Sequence, residues 1–489
     1  MGLEQRKLGV PALVVMIIAA SAPLTAVAGG VTTNYAVTGM ESVPLSFLVV
    51  GAILLVFSIG YTAMSRHIPN AGAFYAYIAQ GLGRASGVGA AMIAVVSYNL
   101  MQIGIYGMFG FAASSFVNGL LGTGIPWWAT ALVAWVLVGL LGVNRVDFSV
   151  KVLGIVVAAE FLVVIIYNVM AFAISPEAPA PGAAFDISAA IAPGMGAVMA
   201  FTIAAFMGFE SGTIYNEEVK DPKRTARSAT IIAVIVIACF YAFSAFAISV
   251  AEGASNVLGA SAEFGPDLIF VFFTNHAPTW FVDLANLLFI TSLFAALLAF
   301  HNVVARYFYS MGRGGALPAI LAGTSRRTHA PVAGSLAQSV LALAVIAVFA
   351  VISTGKDPMF IVFTMFTWLT NSAAFGLVLL MALTSFAIIG YFATHRTTDS
   401  LLTRVIAPLL SGLALTFIFI QIVINFDVLL GMEEPGLLGY ILMAVVIVPG
   451  IIGFLVAAAA RTTTSSTQPD APTDTSTGAE PAGEKLPVL

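Results

Sequence analysis

Two carboxylates lie in stretches of the sequence that are otherwise almost entirely apolar. Glu160 lies in VVAAEFLVV and Glu210 in FMGFESG. A charged side chain at the centre of a bilayer costs about 2.5–3.5 kcal/mol on insertion scales, so such residues usually face protein and have a function. A carboxyl group removed from water tends to stay neutral, which makes Glu160 a candidate proton carrier. A neutral Glu160 bonded to a neighbouring helix is the equal alternative.

Gly208 and Gly212 flank Glu210, and this pattern predicts an interrupted helix. Glycine weakens a helix and exposes its backbone carbonyl and amide groups, which protein or water must then satisfy. Glu210 could bind a cationic substrate, carry a proton or hold the interrupted helix to a neighbour, and these roles stay open. Phe206 and Phe209 could cover a bound molecule, with ordinary helix packing as the alternative.

A second interruption is predicted within SAPLTAVAGG, which covers residues 21–30. Pro23 has no backbone N–H and frees a carbonyl. The amides at the start of the following helix lie at its positive end, where a carboxylate would bind. The carbonyls that end the helix before Gly208 would suit an ammonium group. The residues of this interruption that we expect at the binding site are Ser21, Ala22, Pro23, Leu24, Thr25, Gly29 and Gly30.

The composition indicates a membrane protein. The chain of 489 residues is 60% apolar and 9% charged, whereas soluble domains carry about 25% charged residues. The single cysteine, Cys239, excludes an internal disulfide and a multi-cysteine metal site, and we expect it to be a small buried residue. The sequence shows no phosphate loop and no nucleophile–base arrangement. We therefore expect no enzyme activity, no cofactor and no nucleic-acid partner, and the lipid bilayer as the surroundings.

Runs of about 20 apolar residues predict twelve transmembrane helices in an all-α fold. These spans, numbered 1 to 12 below, lie near residues 10–38, 43–63, 87–118, 126–143, 149–174, 194–215, 227–250, 281–309, 332–353, 359–391, 404–427 and 437–459. The interruptions fall in spans 1 and 6. Residues 72–82 are expected to form an interfacial helix with Tyr75 and Tyr77 at headgroup level. Residues 251–280 are expected to form a loop with an amphipathic surface segment, LIFVFF.

The basic residues predict the orientation. With the N-terminus inside, all 19 Lys and Arg residues except Lys356 fall on the cytoplasmic side, as the positive-inside rule requires. We therefore expect a multi-pass protein of the cell membrane with both termini cytoplasmic. Residues 1–9 would be the cytoplasmic N-terminus, followed directly by span 1 rather than by a cleaved signal. Residues 461–489, rich in Thr, Ser and Pro, would be a disordered tail.

Interruptions that open two groups of five spans predict an inverted repeat. Because five is odd, the second group has the opposite topology, and the two interruptions meet near the middle of the bilayer. Residues 10–174 would form the first repeat and residues 194–391 the second. Residues 404–459 would add two further helices.

Four segments in the same order resemble the amino acid–polyamine–organocation permeases. They read SAPLTAVAGG, RHIPNAGAFYAYIAQGLG, MGFESGTIYNEEVKDPKRTARSA and HNVVARYFYSMGRGGALP. The resemblance covers residues 5–460 and implies the five-plus-five inverted repeat with two added helices. It also implies a substrate site between spans 1 and 6, lined by spans 3, 8 and 10, in a proton-coupled importer or exchanger of amino acids or amines.

Further polar residues could line that site. Tyr98, Gln102 and Tyr106 share one face of span 3, and Trp368, Thr370 and Asn371 lie on span 10, with bonding between helices as the alternative for both groups. Glu217 and Glu218 are candidates for a cytoplasmic gate, or are solvated at a helix end. Thr291 and Ser292 raise a sodium site as an alternative, against bonding to their own helix.

We therefore expect a secondary active transporter for an amino acid or small amine, driven by protons through Glu160 or Glu210. An exchanger or a sodium-coupled symporter is the alternative mechanism. A nutrient sensor or a channel on the same scaffold is the alternative class.

Overall fold

The computed structural model describes residues 9–68, 73–144, 150–192, 194–210, 212, 219, 221, 224–325, 328, 330–395, 397–432 and 436–465. This part of the chain consists of helices and connecting turns and contains no β-strand. The expectation of an all-α polytopic fold is confirmed.

Most predicted spans coincide with one long helix each. The helices of spans 2 to 5 are Val43–His67, Arg84–Leu121, Trp127–Val143 and Val150–Ala173. The helices of spans 7 to 9 are Thr225–Glu252, Thr279–Arg313 and Val332–Ile352, and span 12 is Leu437–Ser465. Spans 10 and 11 each begin with a π-helical turn and continue as an α-helix, with the bounds Val362–Phe366, Thr367–Thr394, Leu402–Ile406 and Ala407–Ile424.

Spans 1 and 6 are interrupted within the span. Span 1 consists of Val10–Ala20, a π-helical turn Thr25–Val31 and an α-helix Thr32–Thr38. In span 6 the described helix is Met195–Phe206. The short elements between spans are Ala73–Leu82, Pro181–Ala184, Ile187–Ile191, Val257–Phe264, Gly265–Asp267, Leu268–His276, Ala319–Ala322 and Phe426–Leu429.

By length and composition, eleven of the described helices can cross a membrane, or twelve if span 6 and the helical segment before it are one span. The count includes Val257–His276 and omits Trp127–Val143, which has 17 residues. Seventeen residues rise about 25 Å, the lower limit for a crossing. The apolar side chains of Val133, Leu137 and Leu140 are exposed along this helix, as contact with lipid requires. We therefore keep it as span 4.

The segment Val257–His276 is apolar but returns to the side from which it starts. It joins the end of span 7 to the start of span 8, and Glu252 and His276 at its two ends lie close enough to interact electrostatically. Its LIFVFF run is also packed inside the protein rather than on the surface. Phe270 lies 5.4 Å from Phe289 of span 8, measured between ring centroids. The segment therefore covers one end of the bundle.

Two other expectations need correction. The helix Ala73–Leu82 is packed between spans instead of lying on the surface, and Tyr75 and Tyr77 are only 4% and 1% exposed. The Tyr75 hydroxyl lies 2.8 Å from Ser310 Oγ of span 8. Cys239 is exposed on the membrane-facing side of span 7 instead of buried. In both cases the hydrophobicity of the segment was clear from the sequence, but the direction of the side chain was not.

Spans 3 and 10 form the centre of the molecule. In the most apolar 18-residue stretch of each helix, 83% of the residues of span 3 and 72% of those of span 10 are buried, compared with 22% for span 12. Small residues allow this close packing. A Cβ atom on Gly104 of span 3 would lie 2.9 Å from the Thr370 methyl group of span 10. This contact holds the two helices as walls beside the interrupted spans.

Candidate functional site

The interruption in span 1 begins where the first helix ends at Ala20. Ala22 has a φ of 46°, the only positive φ of a described residue other than glycine. A left-handed backbone costs about 1–2 kcal/mol for a residue with a Cβ atom. Pro23 follows and has no N–H to continue the hydrogen-bond ladder. The helix resumes at Pro23 and continues as a π-helical turn from Thr25. The break therefore comprises residues 21 and 22 and is shorter than the predicted 21–25.

The interruption in span 6 begins at Met207, whose ψ of 133° ends the helix. Gly208 follows with a φ of 107°, which favours glycine. The amides of Met207 and Phe209 bond to Ala204 and Phe206, three residues back, at 3.2 and 3.1 Å. The carbonyl of Ala205 therefore does not receive the amide of residue 209, which would be its partner in a continued α-helix.

The two interruptions touch each other. A Cβ atom on Gly208 would lie 2.7 Å from the Ala20 Cβ atom and 3.2 Å from the Ala20 carbonyl oxygen. Only a residue without a side chain allows this approach. Residues 20 and 208 are far apart in the sequence, so the contact brings the end of one helix against the turn of another.

Glu210 ties its own interrupted helix to span 3. The Tyr98 hydroxyl donates a hydrogen bond of 2.5 Å to Glu210 Oε1, and the Gly208 amide donates one of 2.9 Å to Oε2. The Tyr61 hydroxyl of span 2 donates to the Glu210 carbonyl at 3.5 Å. The side chain is 2% exposed. These bonds give Glu210 the geometry of a structural tie.

Glu160 of span 5 performs the corresponding task at the first interruption. Its Oε2 accepts hydrogen bonds from the Leu24 amide at 3.2 Å and from Ser292 Oγ of span 8 at 2.9 Å. The Thr25 hydroxyl donates to Ser292 Oγ at 3.0 Å. One carboxyl group thus joins spans 1, 5 and 8 and takes up an amide that the break in span 1 frees.

A cavity lies where the two interruptions meet. The centre of a water molecule can reach about 60 Å³ of it, which is room for roughly four to six waters at 10–15 Å³ each. Spans 1, 3, 6, 8 and 10 contribute its walls, the set of helices that the resemblance implies. The lining residues are Ala20, Ser21, Ala22, Thr25, Ala26, Gly30, Met101, Ile105, Phe201, Ala204, Ala205, Met207, Ala296, Phe300, Phe366 and Thr370.

The hydroxyl groups that line the cavity already donate to other protein groups. Ser21 Oγ donates to the Ile18 carbonyl at 2.8 Å, and Thr370 Oγ1 to the Phe366 carbonyl at 2.7 Å. Thr25 donates to Ser292, as described above. By contrast, no partner for the Thr25 amide is found among the described residues. Thr25 and Ala205 both line the cavity, so the amide of Thr25 and the carbonyl of Ala205 are candidates to bind a ligand there.

The structure separates the residues expected at the site into groups. Ser21, Ala22, Thr25 and Gly30 line the cavity. Pro23, Leu24, Gly29 and Gly208 belong to the interruptions or follow them without lining it. The gate candidates Glu217 and Glu218 lie outside the described residues.

Phe206 and Phe209 do not cover the cavity. Phe206 packs against Phe47 with ring centroids 6.2 Å apart, and Phe209 against Phe57 at 6.1 Å. Both partners belong to span 2, on the other side of the interrupted helix. A shift of one or two residues along a helix changes which side chain faces the cavity. In span 6, the phenylalanine that lines the cavity is Phe201.

The polar side chains of spans 3 and 10 bond to other helices. Gln102 accepts a hydrogen bond from Gln338 of span 9 and donates to Tyr106 at 3.3 Å. Trp368 Nε1 donates to the Leu430 carbonyl at 3.0 Å. Tyr98, Gln102 and Trp368 do not line the cavity and bond to other parts of the protein, whereas Thr370 of span 10 lines it and bonds to its own helix.

Several apolar lining residues were not expected. Met101 and Ile105 follow Tyr98 by three and seven residues and therefore share its face of span 3. Their spacing from Tyr98 is the sequence signal that places them on the same face of span 3. Phe300 and Phe366 had no comparable signal, because the rotation of spans 8 and 10 is set by packing.

The fold and this cavity define a class: a multi-pass helical membrane protein in which two interrupted helices meet at a small, mostly apolar chamber with free backbone groups. A sequence profile for amino acid permeases matches residues 13–466. The chain belongs to the amino acid permease family.

The chain is also similar to a plant amino acid transporter. The chain is 28% identical over 325 residues to the vacuolar cationic amino acid transporter 2 of Arabidopsis thaliana. The alignment covers 62% of this chain and 49% of that transporter, so the chain matches about half the relative's length.

Proposed function

We propose that the protein is a secondary active transporter that moves an amino acid across a membrane by alternating access. The observation that carries the proposal is the contact between Ala20 and Gly208, which places two interrupted helices around one cavity. Membership of the amino acid permease family supports it. In such transporters one group of helices rocks against the rest about a central site.

The backbone groups suit an α-amino acid. The substrate carboxylate would accept a hydrogen bond from the Thr25 amide, at the positive end of the helix that continues span 1. The ammonium group would donate to the carbonyl of Ala205, at the negative end of the helix Met195–Phe206. A simple amine lacks the carboxylate and would leave the Thr25 amide unsatisfied, which favours an amino acid over an amine.

Glu160 is the proposed proton carrier. In its ionised form it accepts two hydrogen bonds on one oxygen, from the Leu24 amide and Ser292. A proton on the carboxyl group weakens it as an acceptor and adds a donor. Protonation would therefore alter the contact that holds the interruption of span 1 to spans 5 and 8. Glu210 could act in the same way at the other interruption.

Sodium is the alternative coupling ion. Thr25 and Ser292 place two hydroxyl oxygens near the Glu160 carboxylate. Thr291, however, is exposed and bonds to the Leu288 carbonyl of its own helix at 3.0 Å. Only one of the two hydroxyls expected from span 8 is therefore in place.

Residues 10–174 and 194–391 would form two inverted repeats, with both termini in the cytoplasm of a cell-membrane protein. Glu217 and Glu218 would act at the cytoplasmic gate.

Uptake of radiolabelled amino acids into proteoliposomes tests the proposal. Accumulation should occur with an inward proton gradient, collapse with a protonophore and persist without sodium. Sodium dependence would replace the proton with the alternative ion, and exchange without net uptake would identify an exchanger. Absence of transport for every amino acid and amine would reject the transporter, and single-channel currents would favour a channel.

A further inference from the structure

The cavity wall that the structure describes contains no acidic and no basic side chain. Glu160 and Glu210 lie nearby, but neither lines the cavity. Glu160 Oε2 accepts hydrogen bonds from the Leu24 amide and Ser292 Oγ, and the two oxygens of Glu210 accept from Tyr98 and the Gly208 amide. A bound molecule would therefore meet backbone groups and apolar side chains, and no counter-charge.

The backbone groups and the apolar side chains occupy different helices. Thr25 and Ala205, on the interrupted spans 1 and 6, supply the polar groups. The side chains contributed by spans 3, 8 and 10 are Met101, Ile105, Ala296, Phe300, Phe366 and Thr370. The hydroxyl of Thr370 donates to its own helix, so this wall offers almost only apolar contact. An amino acid held by its α-groups at Thr25 and Ala205 would point its side chain at that wall.

A cationic side chain would be costly in this position. Burial of an ammonium or guanidinium group without a partner requires several kcal/mol more than burial of an apolar group. An apolar side chain gains free energy from the same surface, about 25 cal/mol for each Å² removed from water.

We infer that the substrates are zwitterionic amino acids with uncharged apolar side chains, such as alanine, valine and leucine, and that lysine and arginine are rejected. This inference rests on the proposed function and adds the side-chain class. It differs from the substrate class in the name of the Arabidopsis relative, so similarity to that relative and the chemistry of the cavity lead to opposite expectations.

Competition in proteoliposomes tests the class. Uptake of a labelled neutral amino acid should fall about tenfold or more when unlabelled alanine, valine or leucine is present in excess, and less than about twofold with lysine, arginine or glutamate, given the discrimination that apolar pockets achieve. Equal or stronger competition by lysine or arginine would overturn the inference while leaving the transporter function intact. Failure of every amino acid to be transported would instead reject the proposed function.

A paired substitution tests the role of the missing counter-charge. Met101→Glu places a carboxylate in the apolar wall, whereas Met101→Gln has similar size without the charge. Met101→Glu should gain binding of lysine or arginine, measured as thermal stabilisation of the purified protein by each amino acid, and Met101→Gln should not. Equal stabilisation of both variants and the unmodified protein by lysine would contradict the inference. If Met101→Glu does not fold, the competition profile of the unmodified protein decides alone.

Discussion

At the scale of single residues, the two buried carboxylates act on the backbone of the interrupted helices. Glu160 accepts from the Leu24 amide of span 1, and Glu210 accepts from the Gly208 amide of span 6. Each carboxylate also accepts a hydrogen bond from a hydroxyl group of another span, Glu160 from Ser292 and Glu210 from Tyr98. An unsatisfied buried amide costs about 1–3 kcal/mol, so these bonds make the two breaks tolerable inside the membrane.

Substitution of Glu160 by glutamine should separate the structural role of this side chain from its proposed role in proton coupling. The side-chain oxygen of the introduced glutamine can still accept from Leu24 and Ser292, so the protein should fold, but the amide cannot exchange a proton as a carboxyl group does. Stimulation of uptake by a pH gradient should fall about tenfold or more, because a positioned proton-transfer group usually contributes at least that much. Exchange of labelled for unlabelled substrate should continue. Glu263→Gln, at an exposed position, is the control. Intact pH-driven uptake in Glu160→Gln would remove Glu160 from the coupling mechanism.

Tyr98→Phe tests the tie between Glu210 and span 3. The substitution removes the hydrogen bond to Glu210 and keeps the ring packed beside Phe300 and Tyr307. We expect a loss of about 1–3 kcal/mol in stability, since a buried carboxylate loses a donor. Thermal unfolding in detergent measures it, with Tyr440→Phe as the exposed control. No difference between the two variants would show that the bond contributes little.

At the scale of elements, the site depends on two helix ends meeting closely. The turn after Phe206 approaches the end of the helix Val10–Ala20 because Gly208 has no side chain. Spans 3 and 10 approach each other in the same way through Gly104. Packing of small residues thus sets both the contact of the broken helices and the wall opposite them.

Gly208→Ala should disrupt this arrangement. The added Cβ atom would lie 2.7 Å from Ala20 Cβ, and the φ of 107° is strained for any residue with a side chain. We expect a loss of about 2 kcal/mol or more in stability, together with loss of substrate binding. Thermal unfolding with and without substrate measures both effects.

Gly119→Ala is the matched control for that substitution. Gly119 lies within the helix of span 3, and a Cβ atom there meets nothing within 4 Å. Alanine should stabilise the helix slightly, by up to about 1 kcal/mol. If Gly208→Ala behaves like Gly119→Ala, close contact of the interruptions is not required.

At the scale of the whole molecule, an ion-pair cluster joins distant parts of the chain outside the membrane core. Arg66 Nη2 and His67 Nε2, at the end of span 2, each lie 2.8 Å from a carboxylate oxygen of Asp399, which precedes span 11. Partial burial acts to raise the pKa of Asp399, but the hydrogen bond from His67 and the charge of Arg66 outweigh it and lower the pKa below its ordinary value.

The sign of this shift gives a pH dependence. A carboxyl group with a lowered pKa in the folded protein stabilises it above the unfolded pKa, near 4, and this stability is lost as the pH falls through the folded pKa. The pair is partly solvated, so we expect about 1 kcal/mol or less. Asp399→Asn should lower the melting temperature at pH 7 and make it fall less between pH 5 and pH 3, measured by thermal shift. Glu263→Gln should match the unmodified protein. If the melting temperature of Asp399→Asn changes with pH in the same way as that of the unmodified protein, the cluster does not cause the pH dependence.

The sequence alone determined the class of protein and the position of both helix interruptions. Lipid imposes a strict local rule, because each span must be apolar and must satisfy its backbone internally. Residues 21–25 and 207–210 break that rule visibly, and so does a carboxylate such as Glu160. These features can be identified without knowledge of any neighbouring helix.

Only the tertiary structure decided which side chains face the cavity. Apolar residues occur on all sides of the spans, so the sequence does not reveal how far each helix is rotated about its axis. For this reason Phe206 and Phe209 were expected at the cavity but pack against span 2, while Met101 and Phe300 line it. The partners of Glu160 were likewise hidden, because Leu24 and Ser292 are more than 130 residues away along the chain. Contacts between such distant residues depend on helix packing, which local composition does not encode.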